Sequence, residues 1–153
     1  MPYYKTRPLV RLSHGPPQTV KIARELARSL SGGMLVSLTG PVGAGKTTLV
    51  KALARALGVK AIVTSPSFVL LNRYRLPGKP ARWFIHVDGY RLSSYAELAD
   101  LGLGEFLGNP KYLVVVEWPK GKKKDWPRVP GYNIKIQPLC LTGRRFKISS
   151  QRS

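Results

Sequence analysis

The chain is poor in cysteine, in acidic residues and in long apolar runs. A single cysteine, Cys140, stands among 153 residues, which excludes an internal disulfide and a cysteine-based zinc site. It lies in the apolar segment 134–141 and reads as a small buried hydrophobe. No apolar stretch approaches the roughly 18 to 20 residues that cross a bilayer, and the first ten residues lack the apolar region of a secretory signal. The expectation is a cytoplasmic protein with no membrane contact. Seven Asp and Glu oppose 26 Lys and Arg, a net charge of +19.

That excess is uneven. Residues 119–153 hold ten Lys and Arg against Asp125 alone, with Lys120, Lys122, Lys123 and Lys124 beside Trp118 and Trp126, and Arg144, Arg145, Lys147 and Arg152 near the end. Such a patch suits a polyanion through counterion release, which makes RNA one candidate partner. A solvated loop and tail has the same composition, so charge alone leaves both readings open. With 43% hydrophobic content, a chain of this length buries one core and hardly two. We expect one domain over 1–153, with a basic loop at 119–130 and a basic, fraying C-terminal end.

What is present is a phosphate loop. Gly40-Pro41-Val42-Gly43-Ala44-Gly45-Lys46-Thr47 fits Gly-x-x-x-x-Gly-Lys-Thr, with an apolar run (34–38) before it and a helical run (48–57) after it. Glycines let the backbone curl so that its N–H groups point inward at phosphate oxygens, and the positive end of the next helix adds to that field. Gly40, Val42, Gly43, Ala44, Gly45, Lys46, Thr47 and Thr48 are therefore the candidate nucleotide-binding residues. Lys46 reaches the outer phosphates and the Thr47 hydroxyl suits Mg²⁺. Pro41 has no N–H, at a point where a donor matters less than between Gly43 and Thr48.

Along the chain, Pro16-Pro17 precede a helical run at 18–30, whose Val20, Ile22, Ala23, Leu26, Ala27 and Leu30 share a face and which Gly32-Gly33 stops. Segments 69–76 and 81–87 flank Pro77-Gly78-Lys79-Pro80 and read as an antiparallel hairpin. Residues 95–101 form a short helix, 112–116 a buried strand of the kind parallel sheets use, and 132–137 with 139–148 a final strand pair. The expected fold class is an α/β, three-layer, P-loop NTPase-like domain with a mainly parallel central sheet plus antiparallel hairpins.

Two apolar strands end in an acid, Phe84-Ile85-His86-Val87-Asp88 and Leu113-Val114-Val115-Val116-Glu117. Mg²⁺ prefers oxygen ligands and keeps several waters, so one hydroxyl with one or two acids suffices, and a carboxylate can also orient an attacking water. A strand-end acid can equally be solvated or cap a helix, but two of only seven acids ending strands beside a phosphate loop favour function. Lys46, Asp88 and Glu117 are the candidate catalytic residues, and Thr47, Glu117 and Asp88 the candidate metal ligands. His86, two residues before Asp88, shares its face and suits packing as well as function.

In order, these segments resemble the TsaE (YjeE) family, the ATPase subunit of bacterial tRNA threonylcarbamoyladenosine synthesis. The resemblance rests on Leu38-Thr39-Gly40-Pro41-Val42-Gly43-Ala44-Gly45-Lys46-Thr47-Thr48, Val63-Thr64-Ser65-Pro66-Ser67-Phe68, His86-Val87-Asp88-Gly89-Tyr90-Arg91-Leu92, Glu97-Leu98 with Leu101-Gly102-Leu103, and Val116-Glu117-Trp118-Pro119. It implies ATP held by Lys46 and the loop amides, Mg²⁺ bound by Thr47 and Glu117, and Asp88 shaping the hydrolytic site. It also implies a γ-phosphate-sensing segment at 64–68, Trp118 and Arg144 close to the nucleotide, and the turn 13–16 near the base. The implied partner is a TsaB–TsaD complex that nucleotide turnover resets between rounds of transfer onto tRNA, with slow activity in isolation. The pattern departs from the family at Pro41, where aspartate is common, at Ser67, where threonine is common, and at Gly89, where a larger apolar residue is usual and glycine is expected to loosen the chain. A small-molecule kinase and a basic nucleic-acid-binding module with an incidental phosphate loop are the alternatives; a kinase would need a lid insertion that is not apparent.

Overall fold

A computed structural model describes residues 7–66, 70–78, 80–139 and 141–151. Cys140, Arg152 and part of the 64–68 segment lie outside them. Seven strands form one sheet in the order β1-β7-β6-β2-β5-β4-β3, with strands Leu9–Ser13, Leu35–Thr39, Leu71–Arg75, Trp83–Asp88, Tyr112–Glu117, Gly131–Pro138 and Arg144–Gln151 numbered β1 to β7 along the chain. The central strands β6, β2, β5 and β4 run parallel, and the antiparallel pairs β3–β4, β6–β7 and β1–β7 extend the sheet to either side.

Side-chain periodicity makes the three layers. Helix α1 (Pro16–Ala27) buries Thr19, Ile22, Ala23 and Leu26, and α2 (Lys46–Ala56) buries Lys46, Leu49, Val50, Leu53 and Ala54, each a stripe at three- and four-residue spacing. Both pack on the face carrying Val36, Leu38, Phe84, Leu113, Val115, Ile134 and Phe146. On the other face α3 (Tyr95–Asp100) and the turn Leu103–Glu105 cover Leu35, Ile85, Val87, Val114 and Val116. Strand β5 is buried on both faces, as a central parallel strand must be. Among the described residues no helix is long and apolar enough to cross a membrane.

The structure differs from expectation at several boundaries. Strand β1 was not expected, because its apolar Val10 and Leu12 face outward, 48% and 50% exposed, while Arg11 and Ser13 turn inward to Glu25 and Thr19 of α1. Helix α1 begins at Pro16 and ends at Ala27: both prolines fit a first turn whose N–H groups have no partners within the helix. Strand β7 begins at Arg144, directly after Gly143, whose carbonyl accepts from Leu139 N at 3.0 Å. Lys123–Asp125 forms a single 3-10 turn inside the loop at 119–130. Gly89 does not loosen its stretch. It is buried, its N–H donates to Glu117 O at 2.8 Å, and a Cβ there would lie 2.4 Å from Trp118 O.

Candidate functional site

The phosphate loop joins the carboxyl end of β2 to the amino end of α2. Its turn needs glycine where the backbone takes positive φ, at 77° for Gly43 and 102° for Gly45. Gly40 is also pinned by contact: a Cβ would lie 2.4 Å from Ile136 O. Ala44 turns its methyl into the core beneath the loop and its N–H donates to Pro41 O at 3.1 Å. Ala44 and Gly40 thus shape the loop from below, while Val42, Gly43, Gly45, Lys46, Thr47 and Thr48 line a cavity of about 410 Å³ together with Asp88, Tyr90, Glu117, Trp118 and Arg144.

Strand register brings the two acids to this cavity. Leu38 at the end of β2 pairs with Glu117, and Glu117 pairs with Asp88 across the neighbouring parallel strands, so both acids leave the sheet at the end where the loop begins. Alternation then sets their face: Phe84, His86 and Asp88 on β4, and Leu113, Val115 and Glu117 on β5, all point to the α1/α2 side.

Glu117 is 2% exposed and fully engaged. The Thr47 hydroxyl donates toward it, 3.1 Å from Oε1 and 3.0 Å from Oε2, and His86 Nε2 lies 2.7 Å from Oε1. His86 has no solvent exposure, and its Nδ1 has no hydrogen-bond partner among the described residues. The imidazole therefore donates from Nε2 to the carboxylate and leaves a bare nitrogen in the core, an arrangement that a packing role alone does not explain. Asp88 is more open: its Oδ1 accepts from Tyr90 N at 2.9 Å, and Oδ2 is 3.5 Å from the Ser65 hydroxyl.

Lys46 is buried, and its ammonium donates to Gly40 O at 2.7 Å and Pro41 O at 2.8 Å while lying 4.0 Å from the Trp118 ring centre. Burial pushes its pKa below the usual lysine range, and the carboxylates of Glu117 and Asp88 pull it partly back. Trp118 has a left-handed backbone, φ 54°, uncommon for a residue with a side chain. Its ring also meets Tyr90 at 5.2 Å between centres. Arg144, at the start of β7, points a guanidinium NH₂ at Gly43 O, 3.4 Å away. A smaller cavity of about 140 Å³ continues from Gly45 and Thr48 to Gly15, Pro16, Thr142 and Phe146, so the turn before α1 does border the loop.

The donor set fits a Mg-nucleotide. It joins a hydroxyl and an acid already in contact, a second acid nearby, and a lysine among backbone amides. Among the described residues no group of three His, Cys, Asp or Glu forms a cage for a metal ion. Two features escaped the sequence reading: the His86–Glu117 contact, signalled only by the alternation along β4, and Tyr90 in the cavity wall.

Fold and site together define a P-loop NTPase-like α/β protein. The family model described as "Threonylcarbamoyl adenosine biosynthesis protein TsaE" matches residues 13–145, and the chain belongs to the TsaE family. It is 42% identical over 106 residues to the tRNA threonylcarbamoyladenosine biosynthesis protein TsaE of Streptomyces coelicolor, covering 69% of this chain and 70% of the relative. It is 43% identical over 108 residues to that of Aquifex aeolicus, covering 69% and 72%. A crystal structure of Bacillus subtilis YdiB superposes with a TM-score of 0.71 at 25% identity, over 96% of this chain and 87% of that one.

Proposed function

We propose that this chain binds Mg-ATP in the phosphate-loop cavity, hydrolyses it slowly, and supports tRNA threonylcarbamoyladenosine modification by engaging a TsaB–TsaD-type complex. The observation that carries the ATPase reading is the contact between Thr47 and Glu117, residues 70 apart in sequence. The modification pathway is the one for which the curated relatives are named.

In this reading Lys46 leaves the Gly40 and Pro41 carbonyls for the outer phosphates, and the loop amides from Gly43 to Thr48 hold the remaining oxygens. Thr47 and Glu117 hold Mg²⁺, with Asp88 nearby. When bound, the ion neutralises charge that builds up on the phosphates as the terminal bond breaks. Asp88 accepts a hydrogen bond from the attacking water at Oδ2, its less engaged oxygen, while Tyr90 N holds Oδ1. Ser65, beside Oδ2, ties the 64–66 stretch to the nucleotide state, which is how hydrolysis changes the surface offered to a partner. Trp118 and Arg144 flank the phosphates, and the turn before α1 borders the base. The basic loop and C-terminal strand supply a tRNA contact.

Retention on an immobilised TsaB–TsaD pair, with and without ATP, tests the partner clause. Wild type is expected to be retained in a nucleotide-dependent way and Lys46→Ala to lose that dependence. Retention of wild type that ignores nucleotide overturns the switch.

A further inference from the structure

Among the described residues, half of the sheet carries no helix on one side. In β6 and β7 the inward residues Tyr132, Ile134, Ile136, Phe146 and Ile148 pack against the α1/α2 layer. The alternate residues Lys135, Gln137, Arg145 and Lys147 are exposed on the opposite face. Register sets Lys135 directly opposite Lys147, and Arg145 and Lys147 opposite Leu12 and Val10 of β1. Two ammonium groups facing each other across a strand pair weaken the sheet. Helix α3 and the turn after it cover the neighbouring half, over β4 and β5, and stop short of these strands.

The loop at 119–130 lies on the same side, because its Trp126 and Val129 pack into the cluster beneath α3. It adds exposed Lys122, Lys123, Lys124 and Arg128. Its one acid, Asp125, accepts from the backbone N–H of Lys122 at 2.7 Å and so fixes the loop. The two basic stretches of the sequence thus lie on the same side of the sheet.

We infer that this face of β1, β7 and β6, with the loop beside it, binds folded RNA through its phosphates. The proposal rests on the function above for its choice of RNA, but not on ATP binding. Exposed apolar groups here are Val10 and Leu12, without the buried aromatic anchor that centres a protein interface. Trp126 is half-buried, donates to Lys120 O and meets the Tyr95 ring at a tilt with centres 4.7 Å apart, so it is not free to stack on bases. The surface is a sheet face, without a helix to enter a B-form major groove. It suits the wide, shallow minor groove of A-form RNA, where Asn133, Gln137 and Ser149 between the cations meet 2′-hydroxyls.

Binding of fluorescent bulk tRNA across a salt series tests this, using the full chain with Lys135→Gln, Arg145→Gln and Lys147→Gln combined. The control, Lys21→Gln, Arg24→Gln and Arg55→Gln, removes the same charge from the exposed α1/α2 side. The sheet variant is expected to bind about 10-fold or more weakly and to lose roughly two to three units of salt slope. The control is expected to stay close to wild type, with ATP binding of both variants unchanged and the sheet variant melting no lower than wild type, since its Lys135–Lys147 repulsion is relieved. Equal weakening by both variants reduces the effect to net charge and overturns the proposal. So does displacement of tRNA by polyglutamate or by a B-form DNA duplex as effectively as by unlabelled tRNA. Loss of ATP binding in Lys46→Ala with tRNA binding intact supports a separate RNA face, and a wild type that binds tRNA but no ATP sinks the ATPase reading alone.

Discussion

Glu117 is a buried acid whose two oxygens are already shared between a threonine and a histidine. Fixing an acid in this way before a metal arrives lowers the cost of ordering it later, and partners that orient a metal ligand typically matter by about 10- to 100-fold. His86→Leu is therefore expected to weaken Mg²⁺ binding to the nucleotide complex by roughly that range, measured by Mn²⁺ resonance or calorimetry. His86→Gln, whose amide nitrogen is the same number of bonds from the backbone as Nε2, is expected to recover most of it. If Leu and Gln behave alike and both fold, the histidine is packing. Gly89 makes a second residue-scale case. A methyl there has nowhere to go but into the Trp118 carbonyl, so Gly89→Ala should destabilise by about 1 to 3 kcal/mol, the scale of overpacking, and displace Trp118 from Lys46. A melting temperature equal to wild type would show that the Trp118 peptide yields freely. From sequence, glycine at this position reads as slack, because nothing local reports the neighbouring strand's backbone 29 residues away.

At the scale of elements, what was legible followed the strength of the local pattern. The phosphate loop, α2 and the buried run of β5 are set by spacing that tertiary contacts only reinforce. Strand β1 was not legible because its alternation is inverted: its valine and leucine are exposed, and its polar residues answer to α1. The convergence of Asp88 and Glu117 was legible only as two strand ends; their adjacency comes from the strand order. The basic stretches looked like separate loop and tail because the side of the sheet they share exists only once β6 and β7 pair. Helix α3 offers an element-scale test. It is six residues long and starts on Ser94, whose hydroxyl accepts from Glu97 N at 3.4 Å, while Ser93 Oγ donates to the Glu97 carboxylate at 2.6 Å. Those Ser93 contacts hold the Glu97 carboxyl below its usual range, so their stabilisation is present at neutral pH and fades as pH falls through that lowered value. Ser94→Ala is expected to cost about 1 kcal/mol in denaturant unfolding, and a change indistinguishable from zero would mean that this short helix is held by Leu98 in the core rather than by its cap.

For the whole molecule, sheet topology separates two charged surfaces. The carboxyl ends of β2, β4 and β5 gather Lys46, Thr47, Asp88 and Glu117 into one cavity, while the outward face of β6 and β7 presents the exposed Lys135, Arg145 and Lys147. Because the two surfaces share no residues, substitutions on one are expected to leave the ligand binding proposed for the other unchanged. The proposed function stands on one arrangement: the loop after β2 and the ends of β4 and β5 forming a single Mg-nucleotide site. Calorimetric titration of ATP in the presence and absence of Mg²⁺ tests it most directly, on wild type, Lys46→Ala and Glu117→Gln. Wild type is expected to bind ATP more strongly with Mg²⁺, Lys46→Ala to lose binding, and Glu117→Gln to keep binding that no longer responds to Mg²⁺; ATP binding by Lys46→Ala at wild-type strength would mean that the nucleotide sits elsewhere.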